Sequence, residues 1–316
     1  MAEIKESFII RGIEFNNRVL TASGTFGYGD EVKTLTDVNR LGGIITKSLS
    51  LKPRAGNPPV RIVETAGGML NSIGLANIGV DKFIGEKLPY LRTLSTRIIV
   101  NVAASSVEEY CSVVQQIDEQ GGISGFEINV SCPNVKEGGL NFGTDPKRVA
   151  EITREVRKRT QRPLLLKLTP NVTHISEFAR AAESEGADAV SVINTLVGMA
   201  IDIKNKRPKL STVTGGLSGP AIKPIALAKV YETSKAIKIP VIGIGGIQQW
   251  EDAIEFLLAG ATAIQVGTMN FIDPAGGEMI VDGIKQFCVK EGLKDVGDLV
   301  GTLKVDTSTS VIDSWR

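Results

Sequence analysis

Eight short runs of β-branched and aliphatic residues recur along the chain, at residues 18–21, 43–46, 98–102, 126–128, 164–168, 190–193, 241–244 and 264–266. Each is apolar almost continuously rather than at alternate positions, which is the pattern of a strand buried on both faces in a parallel sheet. Between the runs lie stretches with helical periodicity. Over residues 107–117, Val107, Tyr110, Val113, Val114 and Ile117 recur at the spacing of one helix face, and Cys111 within it reads as structural. Strand alternating with helix implies right-handed βαβ units and a parallel sheet. Eight units predict an α/β fold of the (β/α)₈ TIM-barrel type, ordinarily about 250 residues before insertions, within a chain of 316. An open doubly wound sheet is the alternative.

The ends of the runs favour the barrel. At or just past them stand Ser23, Lys47, Asn101, Asn129, Lys167, Asn194, Gly245 with Gly246, and Gly267 with Thr268. In a closed barrel these positions converge on one face, where active sites of this fold lie. Three Gly- and Pro-rich insertions, residues 48–80, 131–145 and 204–219, read as long loops over that face. No linker divides the chain, so residues 1–304 read as one domain and 305–316 as an extra tail without an assigned function.

Composition narrows the partners. A net charge of +1 without basic or acidic blocks points to neither nucleic acid nor a membrane surface. No apolar stretch reaches the roughly 20 residues of a spanning helix, and the N-terminus lacks a secretion-signal layout, so a cytoplasmic location is expected. Three scattered cysteines, Cys111, Cys132 and Cys288, fit neither a disulfide framework nor a metal knuckle. The single histidine, His174, in a polar loop opening a helix, weighs against a His-based metal site or triad, and no metal is expected.

Three glycine-rich segments suggest an anion cradle: Gly243-Ile244-Gly245-Gly246-Ile247, Gln265-Val266-Gly267-Thr268, and Thr214-Gly215-Gly216-Leu217-Ser218-Gly219-Pro220. Glycine allows close backbone approach, free N–H groups at helix starts bind anions, and the last two strand loops are this fold's habitual phosphate site. Lys167 is embedded in the apolar run Leu164-Leu165-Leu166-Lys167-Leu168, so its buried charge needs a partner. A reduced flavin, negative near its N1 and C2 oxygen, would be one. Cys132 follows a strand in Glu127-Ile128-Asn129-Val130-Ser131-Cys132-Pro133-Asn134. A free thiol often serves as a small core hydrophobe, but one at a strand mouth among amides is placed for proton or covalent chemistry.

Ile128-Asn129-Val130-Ser131-Cys132-Pro133-Asn134, Asn71-Ser72-Ile73-Gly74-Leu75, Ile193-Asn194-Thr195-Leu196-Val197-Gly198-Met199 and Gly215-Gly216-Leu217-Ser218-Gly219-Pro220-Ala221-Ile222-Lys223-Pro224 together resemble the class 1 dihydroorotate dehydrogenase family. The likeness runs from about Phe8 to Leu303, and the last two motifs resemble its NAD-linked class 1B catalytic subunit. The resemblance implies an FMN-containing barrel that oxidises dihydroorotate to orotate in pyrimidine synthesis. By similarity, FMN would contact Ser23, Lys47, Ser48, Asn101, Asn129, Lys167, Ile193, Gly219, Gly245, Gly246, Gly267 and Thr268. The substrate would be held by Lys47, Asn71, Ser72, Ile73, Gly74, Leu75, Asn129, Asn194 and Thr195, with Cys132 as the base. Ser48, where relatives often carry Thr, keeps the hydroxyl. Residues 131–145 read as a lid, with Gly138, Gly139 and Gly143 as hinges.

The resemblance further implies a homodimeric core joined to a second subunit carrying FAD and a 2Fe-2S cluster, a heterotetramer that passes electrons from FMN to NAD. This chain has neither a dinucleotide fingerprint followed by an acidic residue nor a cysteine cluster of its own. Three other readings stay open. One is a fumarate-using class 1A-like dihydroorotate dehydrogenase. A non-redox isomerase or lyase barrel binding a sugar phosphate would be colourless and would leave Lys167 unpaired. A non-catalytic flavin sensor would bind FMN without being bleached by dihydroorotate.

Overall fold

In a computed structural model, residues 4–131 and 142–306 are described. Eight parallel strands close into a barrel: β1 (Val19–Thr21), β2 (Gly43–Ile45), β3 (Arg97–Val102), β4 (Gly125–Asn129), β5 (Leu164–Leu168), β6 (Ala189–Val192), β7 (Val241–Ile244) and β8 (Ala263–Val266). Neighbours in sequence are neighbours in space, and β8 returns to β1 through Ile264↔Val19 and Gln265↔Leu20. That closure excludes the open doubly wound sheet. Each strand lies within a residue or two of its expected run.

Closure divides every strand into an inner and an outer row. Leu20, Ile45, Ile99, Leu165, Ala189, Ile242 and Ala263 cluster with Phe8, Ile10 and Phe15. Their immediate neighbours, such as Val19, Ile44, Ile98, Leu164, Val190 and Ile264, belong instead to the larger cluster shared with the surrounding helices. Alternate residues therefore face the barrel interior and the helix layer. An antiparallel hairpin, Phe8–Ile10 against Ile13–Phe15, contributes to the inner cluster, with the Phe8 and Phe15 rings stacked 4.7 Å apart. Burying each large aliphatic of this inner layer is worth about 1.5–3 kcal/mol. Further along the inward rows of β3, β4, β5, β6 and β8, the next side chains are polar: Asn101, Glu127, Lys167, Ser191 and Gln265.

The helices begin where their sequences supply caps. Ser106 accepts a hydrogen bond from the Glu109 N–H ahead of the helix Val107–Asp118, which buries Tyr110, Cys111, Val113, Val114 and Ile117. A capping box of Gln249 and Asp252 opens the helix Trp250–Ala259, and Gly260 ends it in a left-handed conformation at φ 114°. His174 stands at the N-cap of Ile175–Ser184 without a capping bond from its side chain. Among the described residues, no helix is long and apolar enough to cross a membrane.

Two of the insertions are not the loops their composition suggests. Residues 48–80 supply the strands Ile62–Thr65 and Gly68–Asn71, and residues 204–219 supply Thr214–Ser218. With Leu196–Met199 these make a four-stranded antiparallel sheet whose central pairing is Gly216↔Asn71 and Leu217↔Leu70. The strands are short, two of those from the insertions carry glycines, and the central pairing joins residues more than a hundred positions apart, so local sequence carries little trace of the sheet. The third insertion, expected as a lid, falls largely on residues 132–141, outside the described residues, as does 307–316 of the tail.

Gly68 sits at φ 149°, and a Cβ there would approach the Ser218 carbonyl oxygen to 2.0 Å. Gly68→Ala should therefore loosen this sheet at a cost of about 1–3 kcal/mol. The expected outcome is a lower unfolding temperature together with faster proteolytic nicking between residues 48 and 80. Parental values for both would show that the pairing is not needed.

Candidate active site

The polar layer of the barrel is organised around one carboxylate. Glu127, on β4, is fully buried. Its Oε1 accepts from Asn101 Nδ2 on β3 at 2.7 Å, and its Oε2 accepts from Ser191 Oγ on β6 at 2.7 Å and Gln265 Nε2 on β8 at 2.6 Å. Lys167 Nζ on β5 lies 3.9 Å from Oε1 and donates to Ser23 Oγ beyond β1 at 3.4 Å. Side chains from five strands can meet on one group only inside the barrel. Lys167 thus has a protein partner already, contrary to the expectation that a bound ligand must supply one. Burial made a counter-charge necessary, and a neighbouring strand provides it.

Asn101 and Lys167 also lie deeper than expected. Each is followed by one more strand residue, Val102 and Leu168, so they form a layer below the rim. The rim holds Asn129, the last residue of β4. Asn129 Oδ1 accepts from Asn194 Nδ2 at 3.2 Å and from the Ser131 N–H at 3.1 Å, which ties the ends of β4 and β6 together. Its carbonyl accepts from the buried Tyr110 hydroxyl at 2.7 Å, so the helix after β3 fixes this rim position. Lys47, just past β2, is half-buried and its N–H donates to the Gly27 carbonyl at 2.8 Å. Among the described residues its ammonium has no partner. Ser48 beside it is buried, and Ile193 is buried with its N–H donating to the Ile244 carbonyl.

The glycine segments also come together. Gly219, Gly245 and Gly246 have φ of 97°, 130° and 76°, which an L side chain rarely adopts. A Cβ on Gly246 would meet the Lys223 backbone nitrogen at 2.8 Å, at the start of the helix Lys223–Ser234. Thr268 Oγ1 donates to Ser218 Oγ at 2.8 Å, joining the loop after β8 to the segment before Gly219. A Cβ on Gly267 would reach Ala22 at 3.5 Å, beside the end of β1. Backbone from the loops after β7, β8 and the insertion sheet thus lines one corner of the mouth.

Of the residues expected to hold a substrate, Asn71 and Thr195 adjoin the same patch. Asn71 Nδ2 donates to the Gly216 carbonyl at 3.3 Å, and a Cβ on Gly216 would strike Thr195 Oγ1 at 2.2 Å. Thr195 is held by Asn171, whose Nδ2 donates to its carbonyl at 3.1 Å. Ser72, Ile73, Gly74 and Leu75 bond chiefly within the insertion: Ser72 Oγ accepts from Asn57 Nδ2 and from Thr212 Oγ1, the Ile73 carbonyl from the Asn57 N–H, and the Leu75 carbonyl from Asn77 Nδ2. Among the described residues, no hydrogen bond joins these four to the strand ends. Cys132 lies outside the described residues.

Sequence reasoning missed Glu127, Ser191, Gln265 and Asn171. Each of the first three is a lone polar residue between two apolar ones, as in Phe126-Glu127-Ile128, Val190-Ser191-Val192 and Ile264-Gln265-Val266. That interruption was the available signal.

A family model described as dihydroorotate dehydrogenase matches residues 7–288. This chain belongs to the dihydroorotate dehydrogenase family. It is similar to the protein named dihydroorotate dehydrogenase B (NAD(+)), catalytic subunit, from Geotalea daltonii, at 54% identity over 305 residues, 96% of this chain and 100% of that one. The protein of the same name from Geobacter metallireducens is 55% identical over 296 residues, covering 94% and 97% of the two chains. A crystal structure of DHODH in complex with ferulenol from Eimeria tenella superposes with a TM-score of 0.78 at 21% identity, over 94% of this chain and 88% of that one, a likeness of fold.

In this dihydroorotate dehydrogenase barrel the loop after β7 is held by Asp252. Burial raises its carboxyl, but the hydrogen bond from Lys223 Nζ and those from the Gln248 and Gln249 N–H groups outweigh it, so its pKa lies below the ordinary 3.8. A lowered folded pKa means stability that is present above about pH 4 and lost as pH falls through the folded value. Asp252→Asn should cost about 1.5–3 kcal/mol at pH 7. The deficit should shrink towards zero in acid, as read by thermal unfolding of both proteins across pH. A deficit independent of pH would assign the loss to packing instead.

Proposed function

We propose that this chain is the FMN-binding catalytic subunit of an NAD-linked dihydroorotate dehydrogenase, oxidising (S)-dihydroorotate to orotate in pyrimidine biosynthesis. The observation that carries the reading is the meeting, at the C-terminal end of the barrel, of an amide pair, a buried ammonium and three positive-φ glycines. The curated relatives support the choice of reaction and of acceptor.

The residues fit an FMN. Asn101 Oδ1 is buried without a hydrogen-bond donor, as a site for a heteroaromatic N–H would leave it. Gly219, Gly245, Gly246, Gly267 and Thr268 would hold the phosphate on backbone N–H groups and one hydroxyl. Ser23, Lys47, Ser48, Asn101, Asn129, Lys167 and Ile193 would hold the ring. When bound, FMN supplies the two-electron acceptor that no side chain can.

The chain's own side chains do the rest. Asn129 and Asn194 each offer a donor and an acceptor, which suits a planar pyrimidine ring, and with Asn71 and Thr195 they would orient it. Lys47, a cation among amides, would meet the substrate carboxylate, and the segment Ser72, Ile73, Gly74 and Leu75 would complete the enclosure. Cys132 would take the proton from C5. An ordinary thiol, with pKa about 8.5, is only a few per cent ionised at neutral pH, so this role asks the site to ease its deprotonation. The absence of a dinucleotide fingerprint and of a cysteine cluster in this sequence supports a partner subunit, carrying FAD and a 2Fe-2S cluster, as the route to NAD.

Anaerobic addition of dihydroorotate to the yellow protein should bleach its visible spectrum. A colourless chain would favour the non-redox barrel, and bound FMN without bleaching would favour a sensor. Cys132→Ala should keep FMN yet lose about 10²–10⁴ in turnover at neutral pH. Cys132→Ser should regain activity only as pH rises. Parental turnover in Cys132→Ala would remove the thiol from the mechanism, and full NAD reduction by a lone homodimer would remove the partner subunit.

A further inference from the structure

Glu127 is the one fully buried carboxylate of the polar layer, and the proposed chemistry gives it no task. Its four neighbours define what it does. Both oxygens of an ionised carboxylate only accept, so the Asn101 and Gln265 amides must each turn a donor towards it. The consequence is visible on the other side of both amides: Asn101 Oδ1 and Gln265 Oε1 are buried without donors. Lys167, 3.9 Å away, is held between Glu127 and Ser23.

We infer that Glu127 is a positioning residue for the flavin: it fixes which face Asn101 presents to the ring, anchors the Lys167 ammonium, and lowers the reduction potential of the bound flavin by its own buried charge. The inference rests on the functional reading above. A carboxylate acts on a nearby redox centre more strongly in a dry interior than in water, and it opposes the addition of electrons. Glutamine keeps the shape but removes the charge. It also brings a donor of its own, which frees Asn101 to turn its oxygen inwards. Both the lost charge and the freed ammonium favour the reduced flavin.

The test compares midpoint potentials of FMN bound to the full-length parent chain, Glu127→Gln and Ser191→Ala. Ser191→Ala removes one hydrogen bond to the carboxylate and leaves its charge. In Glu127→Gln the potential should rise by about 30 mV, a tenfold change in the reduction equilibrium for a two-electron couple. Ser191→Ala should move it by less than about 9 mV, a twofold change by the same constant. An unshifted Glu127→Gln, or an equal shift in Ser191→Ala, overturns the inference. If Glu127→Gln cannot be loaded, Glu127→Asp is read instead. It keeps the charge and loses the reach, so the potential should hold while the FMN dissociation constant rises roughly tenfold as the amide is released. Parental affinity in that variant overturns the inference equally. A parent chain that takes up no FMN would sink the functional reading itself.

Discussion

A single carboxylate buried at mid-height in the barrel is the interaction on which the rest depends. Taking Glu127 out of water costs several kcal/mol unless its oxygens are matched. The matching comes from β3, β6 and β8 as hydrogen-bond donors and from β5 as a cation. These residues lie up to 138 positions from Glu127 in sequence and meet it only if every intervening strand keeps its register. A slip of one residue anywhere would turn a polar side chain into the helix layer and an aliphatic one onto the carboxylate. The network therefore specifies the closure of the barrel as well as filling it.

The same layer sets the gradient that makes a site possible. One step below it, Leu20, Ile45, Ile99, Leu165 and Ile242 fill the barrel with the help of the Phe8–Phe15 pair. One step above, Asn129 and Asn194 pair at the rim. Polarity rises in about two residues per layer, so the amides at the mouth rest on hydrogen-bonded neighbours rather than on oil. Around them, positive-φ glycines bring backbone to one corner, and the sheet formed by the insertions supplies Asn71 and braces Thr195.

How much of this could be read in advance follows from the physics of each part. The eight strands were legible because strands buried on both faces leave continuous apolar runs. That continuity hid the inner row: with both faces apolar, nothing marks which parity points inwards, so Glu127, Ser191 and Gln265 looked like incidental polar residues. Lys167 was conspicuous because a lysine in such a run is so costly, yet sequence could not say that its partner stands on the adjacent strand. The insertion sheet was invisible for a different reason. Its central pairing, Gly216↔Asn71, is long-range and uses a glycine that carries no strand signal. The rim amides were legible as the polar residues ending runs, while Cys132 rests on motif and chemistry alone.

Charge arithmetic at the mouth sharpens the division of labour between the two lysines. Glu127 and Lys167 together carry no net charge, so within the described residues the inner layer is neutral. A ligand that brings negative charge into this layer makes it negative unless a further cation answers. Among the described residues at the mouth, the cation with no protein partner is Lys47, placed just past β2 and half-buried. On the proposed reading Lys167 serves the ring, already tempered by Glu127, and Lys47 is left to meet the substrate carboxylate. The two charges are then not interchangeable. Lys167 is held by a fixed counter-charge and would tune the electron acceptor. Lys47, with no partner for its ammonium among the described residues, would contribute binding that appears only when an anion arrives.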